Sequence, residues 1–426
     1  MKPHLRVALS NWLSRAGSVT AQLLALPVLT SILTTSEFAT YAILISFMAW
    51  YQLTDLGFGN STQNTISELL AQNKSSSHII ATACTLGFSI LIIGMTALLP
   101  LSWILEKHFF AQATFNTSHE LSKIIWLSGT LFIGNTLGII SQKILYAINK
   151  GINANIINLV NSMIYLLLLW LTIRFGDPQH YLLSCVLAYT LPMGIIGIMT
   201  LGWIAYTYAQ WNWCYIKQSF ITLRGRAWKF WTFALLAAAT LNVDYMIMSQ
   251  TLNSKDIAAY NVIFRLFWIG MALYSGLLSA TWPVFSRMGI QNDINGIVRL
   301  IQNYLIVALS IIFLFAIVLL FSMPLILAWI TPNLSIQISS TTILLFGVYI
   351  ALRIWTDTYA AVLQALSDIN IFLTIIPIQA AISITMQWVL SKHFGINGIL
   401  LGLICSFVFT VAWALPLKLK LKLKLK

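Results

Sequence analysis

Charge is scarce in this sequence. Only 8% of the 426 residues are Asp, Glu, Lys or Arg, against about 25% in an ordinary soluble domain, so a water-soluble globule with a solvated skin is excluded. Cysteine is scarce too. The four present, Cys84, Cys185, Cys214 and Cys405, stand singly, which leaves no disulfide framework and no metal-ligand spacing. The six histidines, His4, His78, His108, His119, His180 and His393, fall near span ends or in loops, where an imidazole is ordinarily solvated. A Walker-type Gly-x-x-x-x-Gly-Lys loop is missing, so an ATP-driven pump would need a nucleotide domain on another chain, and no cofactor or metal is expected. The formal net charge is +13, but the Lys and Arg residues sit between apolar segments and in the tail rather than in a basic patch with interleaved aromatics. A nucleic-acid partner is therefore not indicated.

What the chain has instead is apolar length. Hydrophobic residues make up 59% of it, in recurring runs long enough to cross a hydrocarbon core of about 30 Å as helices. The expected fold is all-α, a polytopic membrane protein with about twelve transmembrane helices. They are expected over residues 11–33, 38–62, 79–101, 124–148, 152–174, 181–208, 227–252, 257–285, 300–321, 339–366, 369–390 and 396–417. Lys2, Arg6 and Arg15 precede or open the first run with no small-residue cleavage site after a short core, so that helix is expected to remain in the mature chain. Near the span ends the basic residues fall on the side of the N-terminus, except Lys107, Lys123, Arg174, Lys255 and Lys392. The positive-inside bias then predicts both termini in the cytoplasm.

Residues 210–226 are the most polar connection. They divide the chain into an N-lobe, 1–209, a cytoplasmic linker, 210–226, and a C-lobe, 227–417, followed by a basic Leu/Lys tail, 418–426. Glu37-Phe38-Ala39-Thr40-Tyr41 aligns with Asp256-Ile257-Ala258-Ala259-Tyr260 at an offset of 219 residues, and Leu145-Tyr146-Ala147-Ile148-Asn149 with Leu363-Gln364-Ala365-Leu366-Ser367 at 218. Two matches at nearly one offset predict duplicated six-helix halves, and an even helix number makes the copies parallel, related about the membrane normal.

Charges inside spans cost about 2.5–3.5 kcal/mol each at the bilayer centre and seldom face lipid. Asp55, Asp244, Arg265, Arg353 and Asp357 are such charges, while Arg15 and Lys143 lie close enough to span ends to snorkel. Asp244 and Arg265 are expected at similar depth, and Arg353 and Asp357 are spaced i, i+4 on one helix face. Two readings stand. In one these are neutralised pairs that hold helices in register; in the other Arg15, Arg265 and Arg353 receive an anionic group, with Asp55, Asp244 and Asp357 serving ion coupling or charge pairing. Arginine suits pyrophosphate because its planar fork donates two parallel hydrogen bonds and keeps its charge. The stretch Asp55 to Asn64, with Gly57 and Gly59 followed by amides and hydroxyls, is either a polar stripe facing a cavity or simply the end of a span. The alternating Leu/Lys tail is expected on the anionic inner leaflet.

The opening pattern, Ser36-Glu37-Phe38-Ala39-Thr40-Tyr41, Trp50, then Asp55-Leu56-Gly57-Phe58-Gly59-Asn60, together with Gln142-Lys143-Ile144-Leu145-Tyr146-Ala147-Ile148-Asn149-Lys150, resembles the polysaccharide-export or O-antigen flippase branch of the multidrug/oligosaccharidyl-lipid/polysaccharide exporter superfamily. The resemblance in plan covers the whole chain. It implies two six-helix lobes around a central cavity. It also implies alternating access and translocation of an undecaprenyl-pyrophosphate-linked oligosaccharide across the bacterial inner membrane, beside polysaccharide polymerase machinery. In related peptidoglycan-precursor flippases cavity arginines of the first and eighth helices contact the diphosphate, and Arg15 and Arg265 fall on the matching helices. Two alternatives remain at this stage: a cation-coupled drug antiporter of the same architecture, and a membrane-embedded glycosyl polymerase or ligase, which the short outer loops disfavour.

Overall fold

The computed structural model describes residues 3–109, 121–334, 336–366, 368 and 370–423. Among them every regular element is an α-helix or a short 3-10 turn. This is what a bilayer demands, since a helix satisfies its own backbone groups where no water is present. Ten helical stretches among the described residues are long and apolar enough to cross a membrane. Their mean hydropathy runs from 3.1 for Ile294–Ile330 to 1.2 for Ser340–Ala365, the stretch that carries Arg353 and Asp357. The chain divides into two compact units, Met1–Ala238 and Ala239–Lys426.

The first unit holds α1 (Pro3–Ile32), α2 (Thr35–Ser46), α3 (Met48–Tyr51), α4 (Phe58–Ala71), α5 (Ser77–Phe109), α6 (Leu121–Ala147), α7 (Gly151–Phe175), α8 (Tyr181–Tyr208) and most of α9 (Trp213–Leu241). Thr34 opens α2 with a capping box, its hydroxyl accepting from the Glu37 amide while the Glu37 carboxylate accepts from the Thr34 amide. These bonds satisfy the donors that the start of a helix leaves orphaned. The polar residues of α1 face α7: Asn155 Nδ2 donates to Ser10 Oγ at 2.7 Å, Ser14 Oγ to the Asn155 carbonyl at 2.8 Å, and Ser162 Oγ to Ser18 Oγ at 2.7 Å. Without water the polar groups pair between helices. Helices α6 and α8 cross on glycine: a Cβ on Gly197 would stand 2.3 Å from the Gly134 carbonyl oxygen, so backbone meets backbone there.

The residues expected to link the halves are helical from Trp213 onward and form the first part of α9. Ile216, Leu223 and Ala227 are buried along one face of it, an i, i+7, i+11 spacing that a count of polar letters obscures.

The second unit holds the end of α9, α10 (Asp244–Thr251), α11 (Ser254–Ile290), α12 (Ile294–Ile330), α13 (Ser340–Ala365), α14 (Asn370–Phe394), α15 (Ile396–Val408) and α16 (Val411–Lys422). Asn253 caps α11, its Oδ1 accepting from the Asp256 amide at 2.9 Å. The caps Thr34 and Asn253 lie 219 residues apart, and the helix ends Ala147 and Ala365 lie 218 apart. The core is aromatic, with Tyr260 against Phe346 at 5.2 Å and Phe267 stacked on Phe346 at 5.7 Å between ring centres.

The Leu/Lys tail continues as α16. Leu415, Leu419 and Leu423 are buried, whereas Leu417 and Leu421 are exposed. Lys418 and Lys422 reach one Asp368 carboxylate oxygen at 3.7 and 3.6 Å. Lys422 also donates to the Leu366 carbonyl at 2.8 Å, an oxygen at the C-terminal end of α13. Residues 424–426 lie outside the described residues.

Candidate functional site

Most of the charges singled out in the sequence gather in the second unit. Helix α9 ends at Leu241, and Asp244 opens the separate helix α10 after a break at Asn242 and Val243. Asp244 thus sits at a helix N-terminus, where a carboxylate faces unsatisfied amides and the positive end of the helix dipole. Its Oδ1 accepts from the Tyr245 amide at 2.9 Å and its Oδ2 from the Tyr260 hydroxyl at 2.5 Å. Asn261 Nδ2 donates to the Tyr245 hydroxyl at 2.7 Å. The half-buried Arg265, one turn further along α11, is close enough for its charge to act on Tyr245.

Helix α13 brings the second cation. Tyr349, Arg353 and Asp357 fall at i, i+4 and i+8 and so share a face. Arg353 Nη1 donates to the Tyr349 hydroxyl at 3.3 Å, and Nη2 lies 3.6 Å from Asp357 Oδ2. Both contacts are long for a guanidinium, which at full strength meets its acceptors at about 2.7–2.9 Å. The Arg353 side chain is 11% exposed, and its Nε has no partner. A cation held in a membrane helix with donors to spare is suited to receive an anion. Next to Asp357, Thr358 shares a 2.5 Å hydrogen bond with Tyr274 of α11, tying the two helices together.

The first unit places the remaining candidates apart from one another. Arg15 is half-buried on α1, with Nε donating to Asn11 Oδ1 at 3.3 Å. Its charge acts on the Tyr146 hydroxyl, which donates in turn to Asn155 Oδ1. Asp55 ends a 3-10 turn, Gln52–Asp55, after which Leu56 and Gly57 are both left-handed at φ 49° and 76°. Its carboxylate accepts from the Gly57 amide at 2.7 Å and the Gly59 amide at 3.3 Å, so it serves as the cap of α4. Gly57 is pressed on α9, where a Cβ would stand 2.2 Å from the Ala227 carbonyl oxygen. Trp231 Nε1 donates to the Leu53 carbonyl at 2.9 Å in the same place. Lys143 on α6 is close enough for its charge to act on Asp55.

The tyrosines and amide of this network, Tyr245, Tyr260, Asn261, Tyr274 and Tyr349, escaped sequence reasoning because a neutral polar side chain in an apolar helix carries little cost to betray it. A signal did exist on α13, where Tyr349, Arg353 and Asp357 mark every fourth position of one face.

The polysaccharide biosynthesis protein family matches residues 7–289. A protein from Salmonella typhi named as a candidate O-antigen transporter is 31% identical over 419 residues, covering 97% of this chain and 95% of that one. One from Salmonella typhimurium with the same name is 32% identical over 418 residues, covering 97% and 96%. A candidate O-antigen export protein from Yersinia pseudotuberculosis is 28% identical over 414 residues, covering 97% and 95%. Among solved structures, an inward-facing multidrug resistance transporter of the MATE family and MOP superfamily superposes with a TM-score of 0.75 at 12% identity, covering 98% of this chain and 99% of that one. The lipid II flippase MurJ in an inward closed conformation does so with a TM-score of 0.73 at 14% identity, covering 98% and 87%. The chain is therefore a multi-pass membrane protein of the polysaccharide biosynthesis protein family, built on the fold of these transporters.

Proposed function

We propose that this chain is a flippase, not an enzyme. It carries an undecaprenyl-pyrophosphate-linked O-antigen or related polysaccharide repeat unit from the cytoplasmic to the periplasmic leaflet of the bacterial inner membrane by alternating access. The observation that carries the reading is Arg353, a guanidinium buried in a membrane helix with long contacts and a partnerless Nε. Arg265 and Arg353 receive the pyrophosphate in the second unit, and Arg15 offers the same planar fork in the first. Asp357 and Asp244 are the carboxylates that hold charge balance when the anion leaves, and coupling to a proton or cation runs through them. Asp55, engaged as a helix cap, contributes to holding the α4 junction. The near full-length relatives named for O-antigen transport support this substrate class. The likeness to a multidrug transporter, at 12% identity, bears on the fold alone.

The remaining assignments belong to the same reading. Both termini are cytoplasmic, the lobes 1–209 and 227–417 are parallel copies, and the product is handed to polysaccharide polymerase machinery.

The test is complementation of a strain lacking the native gene, with membrane protein level and surface polysaccharide measured together. Arg353→Ala is expected to insert normally and to cut surface polysaccharide about tenfold or more, since a charged hydrogen-bonding group contributes about 1.5–3 kcal/mol. Arg353→Lys keeps the charge without the fork and is expected to fall between. Full surface polysaccharide from Arg353→Ala at normal protein level would remove the pyrophosphate assignment.

A further inference from the structure

Beside the start of α9 lies a groove of ≈ 400 Å³ that the transport reading does not use. Thr82, Thr85 and Leu86 of α5 form one wall, and Trp213, Ile216, Lys217 and Phe220 of α9 form the other. Its rim is fixed, because His78 stacks on Tyr215 at 4.5 Å and Ser77 Oγ donates to Gln210 Oε1 at 2.8 Å. The two threonine hydroxyls donate back to the carbonyls of His78 and Ala81, which leaves Lys217 as the cation among the lining residues. Lys217 has no carboxylate partner among the described residues, whereas Arg226, two turns on, takes both oxygens of Glu68 at 2.8 Å.

The outward face of α9 reads Trp213, Lys217, Ile221, Arg224 and Trp228, one residue per turn. Trp213, Ile221 and Trp228 are 77, 57 and 65% exposed. Bare aromatic and aliphatic surface does not suit water, and cations do not suit hydrocarbon. The two together suit the headgroup layer, where Trp rings and basic side chains anchor. Thr82 and Thr85 lie five and eight residues into α5 from Ser77, about 7–12 Å along the axis, so the groove spans from headgroup depth toward the acyl chains.

We propose that this groove holds one anionic glycerophospholipid, its phosphate on Lys217 with Arg224 nearby and an acyl chain along Leu86, Ile216 and Phe220. A free phosphate would leave the apolar walls bare, and a zwitterionic phospholipid would bring a cation of its own beside Lys217 and Arg224. Only the combined chemistry suits both the walls and the cations.

The experiment uses the purified full chain in neutral detergent, with phosphatidylglycerol, phosphatidylcholine or inorganic phosphate added. Retained lipid is read by native mass spectrometry and stabilisation by thermal melting. One phosphatidylglycerol is expected to be retained in preference to phosphatidylcholine, with a raised melting temperature. Lys217→Gln, at an exposed position, is expected to weaken that retention about fivefold, the effect of one basic group near an anionic surface. Lys420→Gln, a change at an exposed tail lysine, is expected to leave retention unchanged. Equal retention of the two lipids, an unaltered Lys217→Gln variant, or equal stabilisation by inorganic phosphate alone would each overturn the proposal. None of these readouts involves polysaccharide, so the transport reading stands or falls separately.

Discussion

Asp244 and Gly57 show what single residues contribute here. Asp244 is 4% exposed, and its Oδ2 depends on the Tyr260 hydroxyl. Tyr260→Phe keeps the ring against Phe346 and removes only that donor. Leaving the buried acceptor unmatched is expected to lower stability by about 1–3 kcal/mol, visible as a reduced melting temperature of the purified protein. Gly57 combines φ 76° with a close approach to the α9 backbone, so Gly57→Ala meets both backbone strain, about 1–3 kcal/mol, and a steric clash. Poor recovery of folded protein is expected, and a variant that melts like the parent would show that α9 is not held where Gly57 requires. The buried charges were legible in the sequence because ionised letters stand out in apolar runs. The part Asp55 plays at the start of α4 and the place of Asp244 in the first turn of α10 were not, because both depend on helix breaks that leave hydropathy unchanged.

Helices as whole elements were readable wherever a run is long and apolar, because membrane length fixes their size. Their interruptions were not. The expected span over 38–62 is broken by a 3-10 turn and two left-handed residues, and the span over 227–252 by Asn242 and Val243. No proline marks either break. From Trp213 onward the polar connection is a helix with Ile216 and Leu223 buried on one face, a spacing that its polar letters obscure. The crossing of α6 and α8 rests on glycine meeting glycine. Gly197→Val is expected to force those backbones apart at about 1–3 kcal/mol or more, measured as loss of monodisperse protein in detergent, and a tolerated valine would mean that the helices can part without cost.

On the scale of the whole molecule, the sidedness proposed from positive-inside counting has a direct probe in Cys214, which is exposed while Cys84 and Cys185 are buried. A membrane-impermeant maleimide is expected to label Cys214 in inverted vesicles and to spare it in intact spheroplasts, and the reverse pattern would invert the topology. The offsets of 219 and 218 residues recur as the separations of helix caps and of helix ends. The clip made by Lys418 and Lys422 on Asp368 bears on how this gene can drift. A dipeptide repeat is prone to slippage during replication, yet any gain of a Leu-Lys unit leaves lysine at 418 and 422, and so does loss of the last two. Stopping at Leu421 removes the buried Leu423 and strips the Leu366 carbonyl of its donor, and should therefore be felt in a thermal melt.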